Sequence, residues 1–398
     1  MRDVLFVGAA RSAFTNMGGG LRNLTAAEIG AFVIKDLAKR FNLSDGGLDA
    51  VYAGAAMGDL RTITPARYAA LAAGLPTETE AHYVETQCGS AITAINHAAA
   101  QIGLGYADAV IAGGMESYST APAFFRMDTE PYKLIPPAAV ERRWAPSDEE
   151  NIDMIPINDK MAKTWGIGRS ECDEFALRSQ QLLQQAYRDG ITGEEIVPYV
   201  IPATKKTPQV TIDKDEFPKP SSTMDGLSAL RAVYEGGVTT AGNASGRNDG
   251  AAFLLMVSAD KAKELGLKPF ARWVAGADVG CQPGIMGIGP AYSNLKLLKR
   301  AGLNLDEADV IECNEAFAAQ NLAVIKEMEK QSGKKINMAK WNPNGGAIAI
   351  GHPNAASGAR IAWFAMKQLE KSGGRYGLFG ACVGGGLGTS TLIENLRG

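Results

Sequence analysis

The clearest candidate for chemistry is a cysteine in the segment Gln87-Cys88-Gly89-Ser90, where a predicted strand is followed by an alanine-rich predicted helix. A thiol at a helix N-terminus lies near backbone N–H groups without partners and near the positive end of the helix dipole. That position is expected to lower the pKa of the thiol and to supply a thiolate nucleophile. An inert thiol packed among alanines is the competing interpretation, and Cys88 by itself leaves both open.

A candidate base lies near the other end of the chain. His352 follows a glycine-rich run and precedes Pro353, a residue that is typical of the first turn of a helix. An imidazole with few charges around it in sequence is suited to general-base catalysis. A structural, hydrogen-bonded histidine fits the same pattern equally well.

Two further residues come directly after or at the end of predicted strands. Cys382 precedes three glycines, whose backbone N–H groups could hold an oxyanion, although a core cysteine in a glycine-rich hairpin is also compatible. Asn314 follows another predicted strand and is expected to cap the next helix, which does not exclude a role in a site. The Cys and His spacings match no metal site, and no nucleotide-binding glycine motif is present.

The composition excludes several classes of function. The 398 residues include 40 Lys and Arg against 43 Asp and Glu, a net charge of −3. This balance gives no general attraction to nucleic acid or to an anionic membrane. Residues 1–20 lack a signal-peptide pattern, and no uncharged stretch is apolar enough to predict a membrane span. Five cysteines, an odd number, predict reduced thiols and a cytoplasmic location.

Strand and helix patterns alternate in two regions of the chain. In the first, strands are predicted at 4–8, 50–54, 81–86 and 109–113, and helices at 25–40, 65–73 and 89–104, with Thr25 and Glu28 spaced as a capping box. After 247 the alternation resumes, with helices at 261–265, 290–302, 315–331 and 357–371 and strands at 251–257, 269–279, 309–312, 378–383 and 389–394. This alternation predicts an α/β fold with a largely parallel, covered sheet.

The two regions are similar in plan, because each delivers a candidate catalytic residue to the start of a helix rich in small residues. A duplicated fold would bring Cys88 and His352 together. The intervening residues are richer in Pro and charge, which indicates an insertion. The predicted division is a first half over 1–118, completed by about 247–268, an inserted loop domain over 119–246, and a second half over 269–398.

As a set, these residues resemble the thiolases, which include acetyl-CoA acetyltransferases and 3-ketoacyl-CoA thiolases. The resemblance spans nearly the whole chain, and its motifs occur in family order: QCGS (87–90), GGMES (113–117), TTAGNASGRNDG (239–250), NEAFA (314–318), NGGAIAIGHP (344–353) and CVGGG (382–386). It implies the thiolase fold, with two similar βαβαβ-type halves stacked in five α-β-α-β-α layers and an inserted loop domain.

The resemblance also implies Claisen chemistry on thioesters. Cys88 corresponds to the nucleophile that becomes acylated, His352 to the base that takes its proton, and Cys382 to a second acid/base. Asn314 corresponds to the residue that holds a water in an oxyanion hole with His352. The backbone N–H groups of Cys88 and Gly384 correspond to a second oxyanion hole.

Further expectations follow from the same resemblance. Ser245 and Lys219 lie where the family contacts coenzyme A, and the family works as a homodimer or homotetramer without a metal or bound cofactor. The expected activity is that of an acetyl-CoA C-acyltransferase on short or medium chains, in fatty acid metabolism. The expected partners are acyl-CoA, coenzyme A and further copies of the chain. Binding to nucleic acid or to a membrane is not expected.

The chain departs from the family pattern at Glu85, Ala91, Asp153 and Asn354-Ala355. These departures leave the catalytic set intact but bear on the acyl chain that is accepted. A ketoacyl synthase of the same fold is one alternative, although such enzymes pair Cys with two histidines. A non-catalytic carrier of acyl-CoA or lipid is another, against which the presence of Cys88, His352 and Cys382 argues.

Overall fold

The computed structural model describes residues 1–126, 132, 136–205 and 207–397, and fourteen strands lie within these ranges. They are β1 (Val4–Arg11), β2 (Thr15–Asn16), β3 (Ala50–Gly54), β4 (Glu80–Val84), β5 (Ala109–Glu116), β6 (Phe125–Arg126), β7 (Ala138–Ala139), β8 (Tyr199–Ile201), β9 (Val210–Ile212), β10 (Asn248–Ser258), β11 (Ala271–Gly280), β12 (Val310–Cys313), β13 (Tyr376–Val383) and β14 (Leu387–Asn395).

Eleven α-helices lie in the same ranges, and a short 3₁₀ turn at Gln87–Gly89 precedes the third of them. The helices are α1 (Ala26–Arg40), α2 (Pro65–Ala72), α3 (Ser90–Leu104), α4 (Met154–Thr164), α5 (Arg169–Arg188), α6 (Met224–Ser228), α7 (Ala259–Glu264), α8 (Gly289–Ala301), α9 (Ala318–Ser332), α10 (Ala347–Ile350) and α11 (Ser357–Ser372). The capping box predicted for α1 is confirmed, since Thr25 and Glu28 exchange both of its hydrogen bonds.

Ten strands form one mixed sheet in the order β12-β13-β14-β11-β1-β10-β5-β3-β4, with β2 paired to β10. The parallel pairs are β3–β4, β3–β5 and β12–β13. The pairs β1–β10, β5–β10, β11–β14 and β13–β14 are antiparallel. The prediction of a largely parallel sheet was therefore wrong. Its cause is that β10 returns to lie between β1 and β5, and that β13 and β14 form a hairpin.

The packing divides the molecule into five layers, because the two halves of the sheet, which meet where β1 pairs with β11, each carry helices on both faces. Alternate side chains of each strand point to opposite faces, so Phe6 of β1 and Phe379 of β13 both face a central core built around α3 and α11. The outer face of the first half, which includes Leu5, packs against α1, α2 and α7. The outer face of the second half, which includes Leu378, packs against α4, α5, α8 and α9. The predicted five-layer arrangement is confirmed.

The inserted segment contains α4 to α6 and β6 to β9, and its boundaries at 119 and 246 stay a prediction.

A buried cluster of charged side chains connects this segment to β1. The guanidinium of Arg11 bonds Asp215 at 2.7 and 2.9 Å and Glu195 at 2.8 Å, and the Tyr187 hydroxyl also donates to Asp215. Within the described ranges, the helices lack the combination of length and apolar character that crossing a bilayer requires.

Candidate active site

Cys88 lies in the tight turn between β4 and α3, as the sequence predicts. The residue before it, Gln87, has a left-handed backbone with φ of 46°. The Glu85 carboxylate accepts hydrogen bonds from both the backbone N–H and the side-chain amide of Gln87, each at 2.7 Å. Because a left-handed non-glycine residue is strained, these two bonds help to hold the turn that presents Cys88.

The pKa of the Cys88 thiol does not follow the prediction. Burial raises it well above the ordinary value of 9.0, and Cys382 and Glu116 raise it further, while the backbone N–H of Cys88 opposes them. The helix N-terminus was identified correctly, but the loss of water around the thiol outweighs it. Attack by Cys88 on a substrate would therefore require a neighbouring base to take its proton.

His352 is buried in the turn between α10 and α11, and its hydrogen bonds define its protonation. Its Nδ1 lies 2.6 Å from the hydroxyl oxygen of Ser357, and that hydroxyl donates to the carbonyl of Pro353. The single Ser357 proton is thereby used, so Nδ1–H donates to Ser357 and Nε2 carries the lone pair. Burial, followed by the positive charge of Arg360, lowers the pKa of His352 to about 3. The ring is neutral at physiological pH and can accept a proton.

Asn314 lies just past the end of β12 and faces this lone pair. Its amide nitrogen is 3.3 Å from Nε2 of His352, and both side chains are buried. The expectation that Asn314 caps the next helix was wrong, because α9 begins only at Ala318 with Phe317 at the cap position. The intervening residues instead run beside residue 244, with which Phe317 pairs.

Cys382 lies near the end of β13, against the turn that carries Cys88. A Cβ on Gly89 would lie 2.5 Å from Cγ2 of Val383, so only a glycine lets the two segments approach this closely. A Cβ on Gly384 would likewise lie 3.2 Å from Cγ of Gln87. Burial, and next the nearby Cys281, raise the pKa of the Cys382 thiol to about 12. Within the described residues, the backbone N–H of Gly384 has no hydrogen-bond partner.

The two halves are clamped together around these groups. The start of α11 contacts the start of α3, since a Cβ on Gly358 would lie 2.9 Å from the backbone nitrogen of Ile92. Glu116, at the end of β5, accepts N–H bonds from Ala56 and Met57 at 3.1 Å and from Ala355 at 3.2 Å. Sequence reasoning placed Glu116 in a motif without giving it a role.

A small cavity of about 10 Å³ adjoins Cys382. Its walls come from α4, the 283–288 turn and the segment after Asn314, and its apolar lining residues are Met154, Ile157, Met161, Met286 and Phe317. A larger cavity of about 540 Å³ lies elsewhere, beside Asp49, Tyr52 and Glu80. None of the candidate catalytic residues lines the larger cavity, so it belongs to a different part of the surface.

Neither of the two residues predicted to contact coenzyme A lines the small cavity beside Cys382. Ser245 is half-buried, and its backbone N–H donates to the carbonyl of Ala316 at 3.0 Å. Lys219 is exposed, with its ammonium nitrogen 5.3 Å from the centre of the Phe217 ring. Among the described residues, no group of three or more His, Cys, Asp and Glu side chains is placed to hold a metal ion.

Comparisons of the sequence with known proteins identify the family of the chain. Residues 4–260 match the family model "Thiolase, N-terminal domain", and residues 267–395 match "Thiolase, C-terminal domain". The chain is 40% identical to an acetyl-CoA acetyltransferase of Chromobacterium violaceum, covering 98% of this chain and 99% of that protein. It is also 40% identical to a beta-ketoadipyl-CoA thiolase of Acinetobacter baylyi, with both chains covered completely.

Solved structures give the same result at the level of the fold. The crystal structure of a Bacillus anthracis acetyl-CoA acetyltransferase superposes with a TM-score of 0.91 at 37% identity, over 100% of this chain and 99% of that one. Human mitochondrial 3-ketoacyl-CoA thiolase in complex with CoA superposes with a TM-score of 0.89 at 33% identity, over 99% and 98% of the two chains. The chain has the thiolase fold and belongs to the thiolase family of acyltransferases.

Proposed function

We propose that this thiolase is an acetyl-CoA C-acyltransferase that condenses or cleaves short 3-ketoacyl-CoA thioesters through an acyl group on Cys88. One observation carries the proposal. The turn of the first half that carries Cys88 packs against the end of β13 in the second half, where Cys382 lies. In the same second half, a neutral His352 stands beside Asn314.

In the first half-reaction, the sulfur of Cys88 attacks the carbonyl carbon of an acyl-CoA while His352 takes the thiol proton. The bond between that carbon and the sulfur of coenzyme A breaks, and the departing thiolate recovers the proton from His352. The raised pKa of Cys88 supports a concerted transfer, because the free thiolate is scarce at neutral pH.

In the second half-reaction, Cys382 as thiolate removes a proton from the methyl group of acetyl-CoA, and the new carbanion attacks the acyl carbon on Cys88. The carbon–sulfur bond to Cys88 breaks, and the departing Cys88 thiolate takes the proton that Cys382 removed from the methyl group, which returns Cys382 to its thiolate form. The reverse reaction cleaves the carbon–carbon bond, and the Cys382 thiol then protonates the released enolate. Its pKa of about 12 favours the thiol, which is the form needed for cleavage.

Both half-reactions place negative charge on a thioester oxygen. We assign the stabilisation of one such charge to the backbone N–H groups of Cys88 and Gly384. A water held by Asn314 and His352 would stabilise the other. Each donor of this kind lowers the activation free energy of acyl transfer by about 3–4 kcal/mol. The steps move only acyl groups and protons, so the proposed reaction requires neither metal nor redox cofactor.

The small cavity beside Cys382 is an argument for short acyl chains, because its volume of about 10 Å³ is close to that of a single water site.

We assign coenzyme A binding to Ser245 and Lys219, since the exposed Lys219 ammonium can bind a phosphate group. The relatives include acetyl-CoA acetyltransferases and a beta-ketoadipyl-CoA thiolase. A role in fatty acid metabolism remains part of this proposal.

We further propose a homodimer or homotetramer in the cytoplasm. Strand β4 ends the sheet, and its His82 and Tyr83 are exposed, so its free edge can pair with a second copy. Exposed apolar side chains of the same region include Leu60, Ile63 and Leu71. All five cysteines are free, which agrees with a reducing compartment.

The test is intact-mass analysis after incubation with acetyl-CoA. The wild-type chain should gain one acetyl group that coenzyme A removes, and Cys88→Ala should gain none. Cys172→Ala is the matched control, because Cys172 is a buried thiol on α5, and it should still be acetylated. A chain that binds acyl-CoA without becoming acylated would be a carrier, and the proposed function would then be wrong.

A further inference from the structure

A second cavity lies at the end of the sheet opposite Cys88. Its volume is about 540 Å³, and it occupies the place where β3 and β4 begin and where α3 ends. Because α3 starts just after Cys88 and runs for 15 residues, roughly 20 Å separate this cavity from that thiol. The cavity, called the Tyr52 cavity from here on, is therefore distinct from the candidate active site.

The charged side chains that line the Tyr52 cavity are all acidic. They are Asp49, Glu78 and Glu80, and no lysine, arginine or histidine in the described part of the chain joins them. Glu78 has no hydrogen bond or ion pair with another described residue. The Asp49 carboxylate accepts the backbone N–H groups of Asp108 at 2.6 Å and Ala109 at 2.9 Å through one oxygen, which leaves its other oxygen free. The lining therefore attracts cations.

Two arginines lie behind this lining, and both have partners of their own. Arg67 donates to the carbonyls of Thr79 at 2.6 Å and Thr77 at 2.7 Å. Arg2 pairs with Asp108 at 2.9 Å. Because neither arginine lines the cavity, a cation inside it would meet carboxylates before it meets a guanidinium.

The hydroxyl of Tyr52 is a polar group of the cavity that the chain does not satisfy. Tyr52 lines the cavity and is 7% exposed, and its hydroxyl has no hydrogen-bond partner among the residues that the structure describes. Its oxygen retains accessible surface, and the open space next to Tyr52 is this cavity. A buried polar group without a partner is costly, so this hydroxyl calls for a ligand that can hydrogen-bond to it.

The strand register places this hydroxyl on the same face as a carboxylate. Tyr52 of β3 lies opposite His82 of β4, and their rings stack with centroids 4.5 Å apart. Glu80 precedes His82 by two residues and so points to the same face. Burial, and next the charge of Glu80, raise the pKa of Tyr52. The hydroxyl is therefore neutral, and its oxygen can accept a hydrogen bond from an N–H group.

The spread of these groups favours an extended organic cation over a metal ion. Within the described ranges, no three His, Cys, Asp and Glu side chains are placed to hold one metal ion. The volume of about 540 Å³ is many times the roughly 30 Å³ that one water occupies. The rings of Tyr52 and Tyr106 also line the cavity, and aromatic rings attract ammonium groups.

We propose that the Tyr52 cavity binds a linear aliphatic polyamine, whose ammonium groups pair with Asp49, Glu78 and Glu80 and one of whose N–H groups donates to the Tyr52 hydroxyl. Such a chain carries several separated charges, so it can reach carboxylates that a single ion cannot bridge. The inference is independent of the acyl-transfer chemistry, because none of these residues belongs to the candidate active site.

The test is calorimetric titration of the full-length chain with spermidine at pH 7 and low ionic strength, in the oligomeric state that the chain adopts in solution. The wild type should bind spermidine saturably, with one molecule per chain. Butylamine carries a single ammonium group and should bind at least about 10-fold more weakly. Mg²⁺ at matched ionic strength should not displace spermidine, because it cannot reach all of the carboxylates at once.

Three variants locate the binding. Replacing both Glu78 and Glu80 by Gln removes two exposed charges and should weaken spermidine binding roughly 10-fold. Tyr52→Phe should weaken it by roughly 2- to 10-fold through the lost hydrogen bond. Glu194→Gln is the matched control, because Glu194 is an exposed carboxylate that does not line the cavity, and it should leave the Kd as in the wild type.

Four results would overturn the proposal. They are an absence of saturable binding by the wild type, a Kd that the double glutamine variant leaves unchanged, an equal loss in Glu194→Gln, and displacement of spermidine by Mg²⁺. A second copy of the chain that covers the cavity would give the first of these results. An unchanged Kd in Tyr52→Phe would remove the hydroxyl from the site.

Discussion

The backbone N–H of Ala355 donates to the buried carboxylate of Glu116 over 3.2 Å, and this bond joins the turn that carries His352 to the half that carries Cys88. The same carboxylate accepts two N–H groups from residues 56 and 57 of its own half. Burial raises the pKa of Glu116 from 4.5 to about 7, although the three N–H donors oppose it. The Glu116 carboxylate therefore changes its charge in the physiological pH range.

Replacing Glu116 by Gln should change how stability depends on pH. The folded chain holds the Glu116 proton more tightly than the unfolded chain, so the resulting stabilisation is complete below pH 4.5 and is lost as the pH rises to about 7. Relative to Glu116→Gln, the wild type should lose about 3 kcal/mol of unfolding free energy over that interval. Denaturant unfolding at pH 5, 6, 7 and 8 measures the difference. A difference that stays constant with pH would show that Glu116 does not titrate there.

His352→Asn should slow acylation of Cys88 by roughly 10²- to 10⁴-fold at pH 7, because the general base is removed. The variant must then rely on the rare free thiolate, whose fraction grows tenfold with each pH unit below a raised thiol pKa. Its acylation rate should therefore climb steeply from pH 7 to 9, while the wild-type rate changes little. Rapid-quench mass analysis provides both rates. Equal rates at pH 7 would place the base elsewhere.

Cys382→Ser should separate the two half-reactions. A serine hydroxyl is a far weaker acid than a thiol and does not supply the base needed for the acetyl-CoA methyl group. The variant should still acquire an acetyl group on Cys88, but it should form acetoacetyl-CoA roughly 10²- to 10⁴-fold more slowly. Labelling and product formation are measured on the same sample. Product formation at the wild-type rate would contradict the role of Cys382.

The buried ion cluster should matter more than surface ion pairs. Arg11→Met leaves the carboxylates of Asp215 and Glu195 buried without their cation, which should cost about 3–5 kcal/mol of unfolding free energy. Lys334→Met is the control, because its pair with Asp306 is exposed to water, and it should leave the unfolding midpoint unchanged. Equal effects of the two substitutions would mean that the cluster does not hold the inserted segment.

Signals that are local in sequence were predictable. The capping pair Thr25 and Glu28 fixes the start of α1, and the left-handed Gly105 ends α3 at the expected place. Cys88, His352 and Cys382 lie at or near the ends of helices and strands that the local pattern of apolar residues predicts. The glycine-rich turn after Cys382 marks such an end without knowledge of the fold, whereas Pro353, which the sequence places in a first helical turn, lies four residues before α11 begins.

Features that depend on distant partners were not predictable in this way. The direction of β10 is set by its neighbours β1 and β5, which lie more than a hundred residues earlier. The pKa of Cys88 depends on burial and on the charges of Cys382 and Glu116, which an argument from the helix terminus does not contain. Helix α4 was missed because Pro156 and several polar residues obscure it, although proline is tolerated in a first turn.

The reacting groups are spread along the chain in an order that has a consequence for its synthesis. Cys88 is made early, whereas His352 and Cys382 belong to the last fifty residues, and the hairpin of β13 with β14 is made last of all. A chain that ends before this hairpin lacks the proposed second thiol, and one that ends before His352 lacks the proposed base as well. On the roles proposed above, it should form no carbon–carbon bond, and the full activity should arise only once translation has delivered the final hairpin.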